Sequence, residues 1–456
     1  MRGKMADLRI GHFLFSGEAR KGVFFMICQN LSVNEAGHLT FAGYDTVELA
    51  KKYGTPLYLM DEERIRQNVR AYKQAMAAYL PAGSIPEFAS KAFSCKRIYE
   101  IMKEEEIDVD VVSVGELYTA LSAGFPAENC FFHGNNKTDA DIAFAMEHHV
   151  GYFVVDSFWE LDAVEETAEK LGITQNILLR ITPGIDPHTN QKISTGAVDS
   201  KFGVALENGQ AEIFVREALQ KSHLNLCGFH CHVGSQVFDS VVFCDAVQIM
   251  LRFIADIRNT YGYTASMLNL GGGFGVRYLP EQPDADYPAR IKEIAAYFNH
   301  TCRQLSLTPP RVMMEPGRSI VADAGMTLYT VGGIKEITGY KNYISVDGGM
   351  GDNPRYTLYE APYTLVLASR ADAPAEYTAS VVGRCCESGD IIQPDVQLPR
   401  PEKGEILAVL TTGAYNYSMA SNYNRIPRPP VVMLSKERDY VVVRRETPED
   451  VCRLDV

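Results

Sequence analysis

The chain has 456 residues, a net charge of -13 and a hydrophobic fraction of 46%. That length calls for two or three domains, or for one large barrel with a second domain beside it. The acidic balance excludes the basic surface that nucleic acid or an anionic membrane needs in a partner, and no apolar run approaches the ~18 residues of a membrane span.

Residues 1–29 read as an N-terminal tail. Phe13-Leu14-Phe15 and Phe24-Phe25-Met26 are split by Gly17-Glu18-Ala19-Arg20-Lys21-Gly22, so no continuous signal-peptide core forms. Two expectations stand for this stretch: a disordered tail, or an over-long start with Met26 as the true first residue. Residues 30–59 carry strand-like pieces that are expected to join a β domain further on. From 60 to 318, apolar β-rich runs alternate with amphipathic helical stretches. The strand runs are Pro86–Ser90, Val109–Ser113, Cys130–Gly134, Tyr152–Asp156, Ile177–Ile181, Leu226–His232, Met267–Gly273 and Val312–Gly317. Between them lie helical patterns such as Cys95–Glu105, Gly115–Ala123, Phe158–Leu171, Gly209–Lys221, Phe243–Tyr261 and Tyr287–Leu305. This alternation is that of a closed (β/α)8 TIM-type barrel rather than an open doubly wound sheet. From 319 to 456 short strand-like runs with turns between them predict a mainly antiparallel β domain: Met326–Gly332, Tyr343–Val346, Tyr377–Val382, Ile406–Leu410, Val431–Leu434 and Tyr440–Arg444.

The ten cysteines show no zinc-site spacing, and only Cys385 and Cys386 are adjacent. That pattern fits reduced thiols in a cytoplasm rather than a disulfide framework, and no metal is expected.

In a (β/α)8 barrel, chemistry collects at the C-terminal ends of the strands. Lys91 follows the first run, His232 and Ser235 the sixth, Gly271-Gly272-Gly273 ends the seventh, and Glu315-Pro316-Gly317-Arg318 ends the eighth. Each is ordinary alone: a solvated lysine, a turn, a surface ion pair. His230 and His232 share a strand face and could form a metal pair, but no third ligand with suitable spacing stands out. Together the four features make a pyridoxal-phosphate site. That cofactor needs a lysine amine to hold it covalently, an anion to keep its pyridine nitrogen protonated, backbone donors for its phosphate and a planar group against its ring. Lys91, Glu315, the Gly271–Gly273 loop with Ser235, and His232 supply these in turn.

Six segments now carry a family resemblance. They are Asp110-Val111-Val112-Ser113-Val114-Gly115-Glu116-Leu117, His133-Gly134-Asn135-Asn136-Lys137, and Lys192-Ile193-Ser194-Thr195-Gly196 with Lys201-Phe202-Gly203. Then follow Asn269-Leu270-Gly271-Gly272-Gly273-Phe274-Gly275, Cys386-Glu387-Ser388-Gly389-Asp390 and Gly413-Ala414-Tyr415. From about Asn30 onward the chain resembles the fold-type III pyridoxal-phosphate decarboxylases, the alanine-racemase-like barrels, and most nearly the diaminopimelate decarboxylase family. The resemblance implies that Lys91 binds the cofactor and His232 stacks on its ring. Ser235, Gly271, Gly272 and Gly273 would hold the phosphate, and Glu315, Gly317, Arg318 and Tyr415 would complete the cofactor pocket. Cys386 would be the catalytic proton donor. Arg318, Arg355, Tyr359, Glu387 and Tyr415 would bind substrate, within a homodimer whose active sites are shared between chains. One departure is local: Phe88-Ala89-Ser90-Lys91-Ala92-Phe93 stands where the family more often has tyrosine three residues before the lysine and asparagine two after it.

The implied reaction is decarboxylation of meso-2,6-diaminopimelate to L-lysine and CO2. Such a substrate has a second amino-acid head, which needs a cation for its carboxylate and an anion for its ammonium. Arg318 and Arg355, with Tyr359 four residues on, offer the first, and Glu387 offers the second. The alternatives are a related decarboxylase of ornithine, arginine or a carboxylated polyamine, and a non-catalytic cofactor- or protein-binding relative.

Overall fold

Eight parallel strands close into a barrel in the structure, a computed structural model that describes residues 27–185 and 200–456. The Lys192–Gly196 motif and residues 1–26 lie outside the described residues. In chain order the barrel strands are β1 (Ile85–Ala89), β2 (Asp108–Val111), β3 (Cys130–Phe132), β4 (Tyr152–Val155), β5 (Gln175–Thr182), β6 (Leu224–His230), β7 (Met267–Asn269) and β8 (Arg311–Met314). Each pairs with the next, and β8 closes on β1 through Met313–Ile85 and Met314–Pro86. A two-residue strand, Val204–Ala205, pairs parallel with the mouth-side end of β5. The expected TIM-type barrel is therefore present. Most of the expected runs continue past the observed strand ends, because their last residues leave the sheet to form the mouth.

Side chains alternate between the bore and the helices, as the two-residue strand period requires. Phe88, Val109, Phe132, Phe153, Leu179 and Phe229 face outward into one core shared with the helices. Phe131, Val154, Leu178, Met267 and Met313 fill the lower bore as a separate apolar cluster. The mouth-side residues Glu87, Asp110, His230 and Asn269 are buried and polar. An apolar plug with a polar layer above it makes one end of the barrel chemical and the other inert.

The helices begin where their caps dictate. Asp61 caps Glu62–Tyr79, Ser113 caps Val114–Ser122, and Ser157 caps Phe158–Leu171, each side chain accepting from a first-turn amide. Thr138 and Asp141 form a reciprocal capping box at Asp139–Glu147. After β8 the chain makes only a short helix, Arg318–Val321, before turning into the second domain.

The β domain is built on a 13-residue strand, Gly325–Ile337. Its first half is flanked by Ile406–Leu410 and by Leu57–Asp61, both antiparallel, and its second half pairs with Lys341–Val346. The domain is mostly antiparallel. Two of its pairings, Leu57–Asp61 with Val431–Leu434 and Lys341–Val346 with Tyr377–Val382, are parallel. Strands Leu365–Leu367 and Ile391–Leu398, which the turn pattern did not suggest, also belong to it, and Asp439–Val443 pairs antiparallel with Val431–Leu434 at one end. Leu57 and Leu59 face one core, with Phe41, Leu328 and Val432, while Tyr58 and Met60 face the barrel-side core. The earlier pieces Leu31–Val33, Leu39–Phe41 and Tyr44–Asp45 form a small three-stranded sheet of their own.

Candidate active site

Lys91 lies in a 3-10 turn, Ser90–Ala92, directly after β1. Its Nζ donates to Asp110 Oδ2 at 2.7 Å, and its side chain is 40% exposed while that of Asp110 is fully buried. Enclosure in the mouth pulls the ammonium pKa down, but Asp110 and Glu315 outweigh it and hold the value above the usual lysine range. Burial pushes the Asp110 carboxyl up, Lys91 opposes this, and Glu315 adds to it, so the net direction is up.

Glu315 follows β8, and its Oε1 lies 3.0 Å from His230 Nε2 and 3.3 Å from His133 Nε2. Neither approach is aligned as a hydrogen bond, and these three atoms are among the buried polar atoms without a bonding partner. Burial alone would raise the Glu315 pKa. The His230 and His133 imidazoles reverse that and hold it well below the carboxylate range. Burial drives His133 well down as well, so its ring is neutral. His133, His230 and Glu315 present ligand atoms within 4.8 Å of one another. This is the third donor that sequence spacing did not offer beside His230, and it matches two imidazoles holding one carboxylate as well as it matches a metal.

The glycine loop after β7 is dictated by space. A Cβ on Gly272 would stand 2.0 Å from the Glu315 carbonyl oxygen, and one on Gly273 2.1 Å from the Gly234 carbonyl oxygen. Gly271 N–H donates to Asn269 Oδ1 and Gly272 N–H to His232 Nδ1, at 2.8 and 3.1 Å. These two amides fix the loop and the His232 ring. Accepting at Nδ1 places the His232 proton on Nε2, and burial pulls its pKa down to about 3. Gly317 brings the Glu315–Arg318 turn against the lysine turn: a Cβ there would meet that of Ala89 at 2.8 Å.

Arg318 donates to Ser235 Oγ from Nε and Nη2 at 3.3 and 3.1 Å, and to Tyr278 Oη from Nη1 at 2.9 Å. Its guanidinium carbon lies 4.7 Å from the ring centre of Tyr415. Tyr415 reaches the barrel from the β domain, its N–H donating to the Ala92 carbonyl at 2.8 Å. Arg355 opens a short helix, Arg355–Tyr359, and is buried. Its Nη1 donates to Tyr363 Oη at 3.1 Å, and its guanidinium lies 4.5 Å from the Tyr278 ring centre. Tyr359 ends that helix half-buried.

The sequence-predicted residues Lys91, His232, Ser235, Gly271, Gly272, Gly273, Glu315, Gly317, Arg318, Arg355 and Tyr415 are thus linked by contacts around one mouth. Cys386 and Glu387 are not in that set. Both are exposed, on a loop tied to the β domain by Asp390, which accepts from Met350 N–H and Cys385 N–H at 2.6 and 2.7 Å. Asn424 Oδ1 accepts from the Cys386 amide at 2.7 Å. Among the described residues no contact joins Cys386 or Glu387 to Lys91, Glu315 or Arg318 of the same chain.

Sequence reasoning missed Asp110 and His133 as individual contributors, although both lie in quoted motifs. It missed Arg180, whose guanidinium lies 3.7 Å from Asp156 and 4.4 Å from the Phe202 ring centre. Tyr278 and Tyr363 carried no signal beyond looking like core aromatics.

Pyridoxal phosphate fits these residues on one observation. Orphaned buried polar atoms gather at this mouth: Ser90 Oγ, Asp110 Oδ1, His133 Nε2, Asp156 Oδ1, both His230 nitrogens and Glu315 Oε1. Buried polar atoms cost free energy unless a partner satisfies them, so the cluster asks for a polar ligand. An amine, a buried carboxylate and a serine–arginine pair match that cofactor's aldehyde, ring nitrogen and phosphate.

A family model described as "Pyridoxal-dependent decarboxylase, pyridoxal binding domain" matches residues 62–322. The chain belongs to the pyridoxal-dependent decarboxylases, and pyridoxal phosphate is its cofactor. Its relatives place it in the diaminopimelate decarboxylase family. It is 45% identical over 425 residues to the enzyme of that name from Bacillus subtilis (strain 168), covering 93% of this chain and 96% of the relative. The enzyme from Halalkalibacterium halodurans is 47% identical over 427 residues, covering 93% and 96%. The structure matches the diaminopimelate decarboxylase of M. jannaschii in complex with L-lysine with a TM-score of 0.86 at 35% identity, covering 94% of this chain and 98% of that one.

Proposed function

We propose that the protein decarboxylates meso-2,6-diaminopimelate to L-lysine and CO2. The observation that carries this reading is the pair of buried guanidiniums, Arg318 and Arg355, both in contact with Tyr278 and neither paired with a carboxylate among the described residues. Buried cations left in that state mark an anion site. Arg318 also contacts Ser235 and Tyr415, so the site adjoins the place of the cofactor. A substrate with a carboxylate at its far end answers it. A diamine-forming substrate with only a distal ammonium does not.

When bound, the cofactor supplies an electron sink for the carbon that loses CO2. Lys91 holds the cofactor, and Asp110 positions its amine. Glu315 stays ionised under the two imidazoles and favours a protonated ring nitrogen. His232, neutral and fixed by Gly272, presents a flat face to the ring. Ser235 and Arg318 bind the phosphate side. Arg318, Arg355, Tyr359 and Tyr415 orient the distal carboxylate. Cys386 carries the proton that replaces CO2, and Glu387 takes the distal ammonium.

The exposure of Cys386 and Glu387 supports a homodimer in which this loop enters the partner subunit's barrel mouth. In this reading residues 60–318 are the barrel, and 30–59 with 319–456 the β domain. The ten free thiols suit the reducing cytoplasm; no described helix is long and apolar enough to cross a membrane. A substrate panel tests the activity. CO2 should be released from meso-diaminopimelate and not from ornithine or arginine. Release from ornithine alone would overturn the assignment.

A further inference from the structure

Tyr278, on the loop after β7, stands between the two arginines assigned above to the distal carboxylate. Its Oη accepts from Arg318 Nη1 at 2.9 Å, and its ring centre lies 4.5 Å from the Arg355 guanidinium carbon. The residue is held at two further points, one on its backbone and one on its ring. The Thr364 hydroxyl donates to the Tyr278 carbonyl at 2.8 Å, and the Tyr363 ring meets it edge-on with centroids 5.7 Å apart. Tyr278 is 3% exposed, Arg355 5% and Arg318 9%.

Two guanidiniums at such burial repel each other and have lost their hydration. Tyr278 offsets both costs with different parts of one side chain. The oxygen serves Arg318 as an acceptor, and the electron-rich face serves Arg355. Burial pushes the phenol pKa up, yet Arg318 and Arg355 outweigh it and draw it below the usual tyrosine range, which is the mark of both cations acting on one group. Tyr278 also joins the barrel loop to residues of the β domain, so the spacing of the two cations is set across the seam between the domains.

We propose that Tyr278 is a positioning and selectivity residue that holds Arg318 and Arg355 at a fixed separation for the distal carboxylate of the substrate. The proposal rests on the diaminopimelate reading. Donors fixed in advance lose little freedom when the carboxylate arrives. A substrate whose far end is only an ammonium meets two cations at set positions and is refused.

Two variants test this. Tyr278→Phe removes the acceptor and keeps the face, while Tyr278→Leu removes both. The KM for meso-diaminopimelate should rise about tenfold in the first, the loss expected for one hydrogen bond to a charged group, and further in the second. The kcat should change by less than about threefold. In Tyr278→Phe the affinity for pyridoxal phosphate, read by fluorescence titration, should stay close to wild type, while the melting temperature falls modestly because Arg318 loses a buried acceptor. A merely structural residue would instead lower the melting temperature and kcat together. A KM within about twofold of wild type in Tyr278→Phe overturns the proposal, and so does a loss confined to kcat or to cofactor affinity. If Tyr278→Leu fails to fold, the phenylalanine variant decides alone. A wild-type enzyme that releases no CO2 from meso-diaminopimelate overturns the parent reading and this one together. Equal KM values in active enzymes overturn only the role of Tyr278.

Discussion

Glu315 is a carboxylate kept charged in a buried place by the two imidazoles beside it, with the Lys91 ammonium adding to their effect. Both imidazoles bear on Oε1, within 3.0 and 3.3 Å. Glu315→Gln retains the shape and loses the charge. It should still bind cofactor, while kcat falls by roughly two to three orders of magnitude, or about 3–4 kcal/mol of barrier. Single-turnover kinetics on cofactor-saturated protein would measure this. An unchanged rate constant would reduce Glu315 to a closure of the barrel. At Arg355 the expectation is different. Arg355→Ala removes a guanidinium that touches Tyr278 and Tyr363, and should raise KM about ten- to a hundredfold. Cofactor affinity should hardly change, and steady-state kinetics with a cofactor titration would separate the two effects. His232 sets a pH dependence. Its folded pKa is about 3 against an ordinary 6.5. Between those values the unfolded chain binds a proton that the folded protein does not, so stability declines as pH falls from 6.5 towards 3. His232→Gln should show a shallower fall in melting temperature between pH 7 and pH 4 than wild type. Parallel curves would mean that other groups dominate the acid limb.

At the scale of elements, the mouth depends on close backbone approaches as much as on side chains. Gly272→Ala would set a Cβ against the Glu315 carbonyl, a rigid neighbour that cannot rotate away. A loss of about 3 kcal/mol in stability is expected, at the upper end for a single substitution. Urea unfolding would read it, and a midpoint equal to wild type would show that the loop moves freely. These loops mark where the sequence is legible and where it is not. Lys91, the Gly271–Gly273 run and Glu315 declare themselves because strand ends are short and their residue types are rare there. β6 was expected at Leu226–His232 and runs Leu224–His230, a shift that arises because apolar pattern does not mark where pairing stops. Tyr278 and Tyr363 were illegible for another reason. A buried tyrosine next to arginine looks in sequence like any core aromatic, and only barrel closure brings loops from β7, β8 and the β domain together. The order of the β-domain strands was hidden likewise, since pairing between residues far apart leaves no local trace.

For the whole molecule, the proposed homodimer turns on the exposed Cys386–Glu387 loop. In a two-fold dimer with shared sites, Lys91→Ala and Cys386→Ala lesions complement each other. After dissociation and random reassociation, about half of the dimers are mixed, and each has one site carrying both lesions and one carrying neither. About a quarter of all sites should then work, above the residual rate of the Cys386→Ala homodimer. Proven subunit exchange with no gain in rate would place Cys386 at its own chain's site.

The strand Leu57–Asp61 has a consequence for biosynthesis. It precedes the barrel in the chain, yet it lies between Gly325–Leu328 on one side and Val431–Leu434 on the other. As the chain leaves the ribosome, the entire barrel is made before either partner strand exists. Domains generally fold as units in order of synthesis, and pairings between distant segments form late. The barrel therefore matures first, with this apolar segment waiting beside it as an open edge. Arrival of the last strands traps the segment and staples the two ends of the polypeptide together. A nascent chain stalled before residue 431 would leave that edge unpaired on the Val431–Leu434 side, the kind of exposed strand that invites pairing with another chain.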